Sequence, residues 1–388
     1  MTVPVGPALA FATGAIVTIE FSAAGLLPDL AGGLGVGLAE AGWLASGFAF
    51  ASAVAGPPLT AWADRFDRRL ALTAVLALFG ATNLLAAAAP DFRLLLGIRI
   101  LQGAALPAFV SLAIAALVAA RPGEPQGRSL AQLNAGVVAG AVVALPAAVL
   151  LAGRLDWRAC FAALGLLALL AAALVWRAAP AGRASPAADG EAWAVLRRPG
   201  VFGHLALSAL VFTALFCSYT YLTAYLARVA GLSPAGVALI LALFAAAGLA
   251  GNLLMGRLPD AAALAATAAA MPVFALVMAG VAASKGALPA VGMLILAWGG
   301  LHAGLFVACQ TRLLTAAPAA PAFASSLNIA ASNVGIALGA LIGGGLAETG
   351  GLTTPMWGAA GLGLLAAGLA LALGAVSLRA APRRPRSP

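Results

Sequence analysis

Apolar residues run along this chain in long blocks, and the polar residues are gathered into short breaks between them. A helix needs about 20 mostly apolar residues to cross a bilayer. Twelve blocks reach that length, at approximately 7–27, 41–62, 70–89, 93–118, 129–151, 158–177, 201–226, 234–256, 261–282, 287–311, 323–346 and 353–377. The blocks are rich in Gly and Ala, which let helices approach closely where water supplies no drive for packing. Residues 178–199, with Pro180, Gly182, Ser185, Pro186 and Gly190, read as the one substantial linker. They divide an N-terminal bundle of six spans (1–177) from a C-terminal bundle of six (200–388) that ends in a short basic tail.

Composition agrees with a chain that lives in lipid. Hydrophobic residues make up 63% and charged residues 9%, with a mean hydropathy of +1.05. A soluble domain carries roughly 25% charged residues, so this chain cannot wet its own surface. The expected class is an all-α polytopic membrane protein. The net charge of +9 does not point to nucleic acid, because the Arg residues are scattered between apolar blocks rather than gathered on one face. Cys160, Cys217 and Cys309 fall in or beside apolar blocks without metal-ligand spacing, so packing roles are expected and no disulfide framework. Met1 to Gly6 lacks the basic region of a cleavable signal, so the first span is expected to be retained.

The chain also repeats itself. Leu133-Asn134 and Leu327-Asn328 each open an apolar block, 194 positions apart, and Thr60–Asp64 and Gly256–Asp260 each close one, 196 apart. An offset near half the length implies two homologous halves, an arrangement many secondary transporters use around a central site.

Charge then orients the spans. With the N-terminus inside, 15 of the 21 basic residues, Arg312 among them, fall in cytoplasmic segments and five outside, while Arg99 alone lies within a span. That split follows the positive-inside rule and predicts that both termini are cytoplasmic.

Motifs now suggest a family. Asp64-Arg65-Phe66-Asp67-Arg68-Arg69 resembles the loop motif between helices 2 and 3 of the major facilitator superfamily, G-x-L-a-D-R-x-G-R-R. Asp64, Arg65, Arg68 and Arg69 match, whereas Thr60 and Asp67 replace the two glycines and Trp62 the leucine. The second-half echo keeps Gly256, Leu258 and Asp260 without the basic tail, and Arg99-Ile100-Leu101-Gln102-Gly103 is similar to the helix 4 motif R-x-x-Q-G. Thr18-Ile19-Glu20-Phe21 with Gly25–Asp29, Tyr219–Leu226, Ser325–Asn328 and Gly335–Ala340 are similar to the drug:proton antiporter family, in its arabinose- or sugar-efflux-like branch. The antiporter motif of the fifth helix is present in part, as Gly136, Gly140, Ala144, Leu145 and Pro146. The resemblance implies the major facilitator fold of 12 transmembrane helices in two pseudo-symmetric six-helix bundles, placed in the inner (plasma) membrane.

Candidate chemistry sits where charge enters the spans. Glu20, the sole acidic residue well within a span, lies roughly 20 Å from the inner end of its helix, at ~1.5 Å per residue. Arg99 lies roughly 9 Å from the outer end of the fourth span. In a core of about 30 Å the two are expected at one height, in contact or facing one aqueous cavity. Glu20 is the candidate proton carrier and Arg99 its modulator, against the alternative of a static structural pair. Arg99 has Leu296 at its approximate repeat position, so this charge belongs to the first half only. Asp64, Arg65, Arg68 and Arg69, with Gly256 and Asp260, are expected to form a conformational latch between the halves, against a plain topology signal. Gln102, Tyr221, His302 and Asn328 are the candidate substrate contacts, each of which also fits an ordinary helix-packing role.

No span carries His-Glu-x-x-His, a paired-Asp cluster or a Ser/His/Asp set, so no enzyme is expected, and no cofactor or metal. No nucleotide-binding motif is present. The expected function is export of a small organic molecule, a sugar, nucleoside or drug, in exchange for protons by alternating access. Uptake, and a non-transporting receptor or assembly protein, are the alternatives. Each chain is expected to hold a complete pathway and to work as a monomer.

Overall fold

A computed structural model describes residues 4–63, 66–120, 126–182, 200–285, 287–316 and 321–380, the side chains of some helical residues (Asn134 among them) excepted. The described residues are helical with short connections. In order, α1 spans Val5–Gly25, α2 Leu38–Ala63, α3 Arg68–Ala87, α4 Phe92–Ala119, α5 Gln126–Ala152 and α6 Trp157–Ala178. The second half holds α7 Val201–Tyr219, α8 Pro234–Gly256, α9 Ala263–Ala283, α10 Leu288–Ala316, α11 Pro321–Gly350 and α12 Thr354–Ala380. A short helix, Leu27–Leu34, follows α1, and another, Leu222–Arg228, continues α7 after a break at Thr220 and Tyr221. In lipid every backbone N–H and C=O needs an internal partner, and a long apolar helix supplies it. Each expected span falls on one of the twelve rods. Among the described residues, eleven of the rods are long and apolar enough to cross a bilayer, and α5 contributes the shorter apolar stretch Val142–Ala152.

The start of α1 and the end of α12 lie on one face, here called the terminal face; the opposite one is the far face. Packing partners repeat between the halves. α1 packs on α5 as α7 packs on α11, α2 on α4 as α8 on α10, and α3 on α6 as α9 on α12. The halves meet along α2–α11 and α5–α8, a pair of seams that the same repeat exchanges.

Small residues make these contacts possible. A Cβ on Gly140 would stand 2.3 Å from the Gly14 carbonyl oxygen, and one on Gly136 2.1 Å from that of Ala10, so α1 and α5 touch backbone to backbone. The second-half counterpart is the α7–α11 contact, where a Cβ on Gly343 would stand 2.2 Å from the Cys217 carbonyl oxygen. Backbone on both sides leaves nothing flexible to yield.

The halves are tied together towards the far face. Thr223 Oγ1 donates to the Ala24 carbonyl at 3.2 Å. Tyr221, buried at the break after α7, donates from its hydroxyl to Ala340 O at 2.9 Å. The same hydroxyl lies so close to α2 that a Cβ on Gly42 would approach it to 2.1 Å. Tyr221 is therefore a wedge in the far-face seam.

On the terminal face the first-half loop grips its own half. Asp67 caps α3 by accepting from Leu70 N at 3.1 Å, and its second oxygen accepts from Gly182 N at 2.6 Å. Arg68 N returns a bond to Gly182 O at 2.9 Å, and Arg69 Nε donates to Ala179 O at 2.7 Å. The backbone N–H of Gly182, then that of Leu70, holds the Asp67 carboxyl below its ordinary range. A depressed carboxyl stabilises the fold above its unfolded pKa, and that contribution fades as pH falls through the depressed value. Asp64 and Arg65 lie outside the described residues, as does most of the expected linker, 183–199.

Two outcomes follow. Gly140→Val is expected to force α1 from α5 at a cost of about 1–3 kcal/mol, seen as a lower melting temperature of the purified protein in detergent. Gly97→Ala, with nothing within 4 Å of the added Cβ, is the neutral control. Asp67→Ala is expected to remove about 1 kcal/mol of cap and to speed proteolytic cutting just after Gly182; an unchanged cutting rate counts against the clamp.

Candidate functional site

The Arg99–Gln102–Gly103 run of α4 touches three neighbouring helices at once. Arg99 is 1% exposed, and a guanidinium at that depth needs acceptors. Its Nη1 donates to Ile19 O at 3.1 Å and its Nη2 to Glu20 O at 2.8 Å, both on α1. Nη1 also reaches Gln102 Oε1 at 3.1 Å, and Gln102 Nε2 donates to Thr82 Oγ1 of α3 at 3.0 Å. The Phe48 ring of α2 lies 4.4 Å from the guanidinium carbon, within cation–π range. Gly103 lets α4 meet α2, since a Cβ there would stand 2.0 Å from the Phe48 carbonyl oxygen.

The guanidinium binds the backbone of Glu20 and leaves its carboxylate unpaired. Among the described residues no ion pair joins the two side chains. Instead both line one small cavity of about 20 Å³ at the seam between the halves, together with Phe21, Ala49, Phe216 and Ile336. That volume is about what one water needs. The expectation of one shared height and one shared cavity describes this geometry, while direct contact between the charges does not.

Beside the cavity stands a group of rings. Phe21 of α1 faces Phe216 at 6.3 Å and Tyr219 at 6.5 Å between centroids, both on α7. His302 of α10 lies 4.8 Å from Tyr219, 5.5 Å from Phe216 and 5.7 Å from Phe244 of α8. Such separations are those of offset and edge-to-face aromatic pairs. Two buried nitrogens among these rings, His302 Nδ1 and Trp298 Nε1, have no hydrogen-bond partner among the described residues.

The candidate residues of the sequence separate accordingly. Glu20, Arg99 and His302 come together at the centre. Gln102 sits behind Arg99, 0% exposed, with both ends of its amide bonded inside the protein. Tyr221 is at the far-face seam. Asn328 is buried at the terminal end of α11, accepting from Ser208 and donating to Gln310. Gly256 ends α8 in open space, and Asp260, exposed, opens a single turn of 3-10 helix before α9. Sequence reasoning missed Phe21, Phe216, Tyr219 and Phe244 as a set. Positions 212, 216 and 219 share one face of α7, yet an aromatic stripe at that spacing reads equally as ordinary core. It also counted Arg312 as a loop charge, whereas α10 runs on to Ala316 and buries it.

Arg99→Lys tests the triple contact. A single ammonium cannot bridge two α1 carbonyls and Gln102, so the melting temperature should fall, by about 1–3 kcal/mol in stability. Gln102→Glu, which still accepts from Arg99, should fall less.

Similarity to known proteins agrees with this architecture. Residues 9–322 match the family model described as the Major Facilitator Superfamily. The chain is 35% identical to a chloramphenicol resistance protein of Streptomyces lividans, over 90% of this chain and 91% of that one. It is 32% identical to the inner membrane transport protein YdhP of Escherichia coli K12, over 97% of each. A bacterial homolog of the human lysosomal transporter Spinster, solved inward-facing and unoccupied, superposes with a TM-score of 0.77 at 18% identity, covering 97% of each chain. With two packed six-helix halves, the match over most of its length and relatives aligned almost end to end, this chain belongs to the Major Facilitator Superfamily, a family of multi-pass membrane transporters and not of enzymes.

Proposed function

We propose that the chain exports a small, ring-bearing organic molecule in exchange for protons, by alternating access between its two halves, and that it belongs to the drug:proton antiporter branch of its superfamily. The observation that carries this reading is the Glu20 carboxylate, unpaired and facing a cavity at the seam, with Arg99 held beside it by backbone carbonyls. An intramembrane carboxyl that lines a cavity can gain and lose a proton as access alternates.

The rings supply the cargo surface. Phe21, Phe216, Tyr219 and His302 offer flat apolar faces with a few polar atoms, which suits a planar molecule better than a sugar, whose hydroxyls each need a partner. The Streptomyces relative, named for resistance to chloramphenicol, supports drug-like cargo. The basic residues at the terminal face make it the cytoplasmic one. The contacts at Tyr221 and Thr223 then close the outer side and leave the chain facing inward, in the inner membrane. Opening outward requires these contacts to part and the terminal face to close, where Asp64, Arg65, Arg68 and Arg69 meet the second half near Gly256 and Asp260 as a latch. One chain holds the whole path, so the monomer is the working unit.

Transport in proteoliposomes with an imposed pH gradient tests this directly, with a nitroaromatic antibiotic and a hexose as alternative cargoes. The antibiotic should move against its own gradient, from the side bearing the termini to the far side, and the hexose should not. Glu20→Gln should lower gradient-driven movement at least tenfold while the protein still reaches the membrane. Movement by Glu20→Gln at the wild-type rate, or a preference for the hexose, refutes the reading.

A further inference from the structure

A second buried cation lies away from the Glu20 cavity. Arg312 is 3% exposed although it sits on α10, only four residues from the helix end at Ala316. Among the described residues no carboxylate lies within ion-pair distance of it. Its contacts are neutral: Nη2 reaches Ser208 Oγ at 3.3 Å and Cys309 Sγ at 3.1 Å, and Nη1 stands 3.5 Å from His204 Nδ1. Its Nε is buried and has no hydrogen-bond partner among the described residues. The Ser208 hydroxyl is itself held by Asn328 Oδ1 at 2.8 Å, and Asn328 Nδ2 by Gln310 Oε1 at 2.9 Å. The braced groups thus hold the guanidinium in place without neutralising it. A buried charge left unpaired is costly, and a planar fork with an unused donor matches an oxyanion in shape as well as charge.

Its position gives the site a direction. His204, Ser208, Phe212 and Phe216 recur every four residues on one face of α7. Across from them on α10 stand Arg312, Cys309, Phe306 and His302. Phe306 is 46% exposed and meets Phe212 edge-on at 5.3 Å between centroids. The six-residue step from Phe306 to Arg312 corresponds to roughly 9 Å along the helix. A ladder of rings thus runs from the Glu20 cavity towards the terminal face and stops at an unneutralised guanidinium.

We propose that Arg312, with His204 and Ser208 beside it, is an oxyanion subsite on the cargo path, receiving the carboxylate or phosphate of a cargo whose ring rests on Phe306, the exposed ring of the Phe212–Phe306 pair. The proposal deepens the exporter reading and rests on the α7–α10 seam being its path. The cargo class it names is the aromatic acid, with two to four bonds between ring and acid group.

Purified full-length protein in nanodiscs of zwitterionic lipid tests it by calorimetric titration with 3-phenylpropanoate, 3-phenylpropanol and propanoate. The wild type should bind the acid at least tenfold more tightly than the alcohol, and propanoate should bind far more weakly than either. Arg312→Gln should bring the ratio of acid to alcohol affinity to about one, and Arg312→Lys, which keeps the charge and loses the fork, should leave an intermediate ratio. A wild-type ratio near one, or a ratio untouched in both variants, overturns the subsite. Propanoate binding as tightly as phenylpropanoate also overturns it, since the site then takes a free anion rather than a cargo. Proton-driven efflux of the neutral antibiotic by the wild type is measured in parallel. Its absence alongside an intact acid preference refutes the exporter reading and leaves the subsite standing.

Discussion

A guanidinium bound to helix backbone is the interaction on which the centre of this protein depends. Arg99 reaches α1 through the carbonyls of Ile19 and Glu20. The nearby carboxylate therefore stays free of a direct ion pair while still feeling the charge. In a low-dielectric interior, a close ion pair would fix both groups in one state. Anchoring on carbonyls keeps the positive charge at a fixed height and leaves the carboxyl available to the cavity. Gln102 and Thr82 complete the anchor from behind, so Arg99 is fixed from several sides before any cargo or proton arrives.

The helix packing around that anchor uses backbone contact in place of interlocking side chains. Gly103 brings α2 against α4 next to Arg99, and Gly136 and Gly140 bring α5 against α1 on the other side of Glu20. Lipid gives no hydrophobic drive for these contacts, so close approach and dispersion must hold them. A rigid first half follows, with Glu20 set at its boundary with the second half. The second half has the same packing plan with different chemistry. It carries rings and a histidine at the centre and, nearer the terminal face, a buried arginine with no carboxylate at ion-pair distance among the described residues.

Towards the far face the halves are joined by Thr223, which donates to Ala24 O at the end of α1, and by Tyr221, whose hydroxyl lies against Gly42 of α2. On the terminal face the described part of the loop, Asp67 with Arg69, is engaged with Ala179, just past the end of α6, and with Gly182. In this conformation the loop stiffens one bundle. It also fastens the start of the chain segment that leads to the other bundle, which ties the geometry of that segment to the loop.

The sequence by itself determined the class and the plan. Unbroken apolar blocks of spanning length permit few structures other than membrane helices, because any other backbone would leave polar groups unpaired in lipid. The half-length repeat and the 15-to-5 split of basic residues needed only counting. Glu20 and Arg99 were legible for the same reason, since a charge within a span is rare and its depth follows from the helical rise. What the tertiary structure alone decided is which apolar faces meet. Phe21, Phe216, Tyr219, Phe244 and His302 come from four different helices, and nothing in one helix records the rotation of the next. Rotation also turned Gln102 towards α3, placed Tyr221 in the seam, and buried Arg312 by carrying α10 a turn beyond its last apolar stretch. Each of those outcomes depends on packing between helices distant in the chain, a quantity that composition and periodicity do not carry.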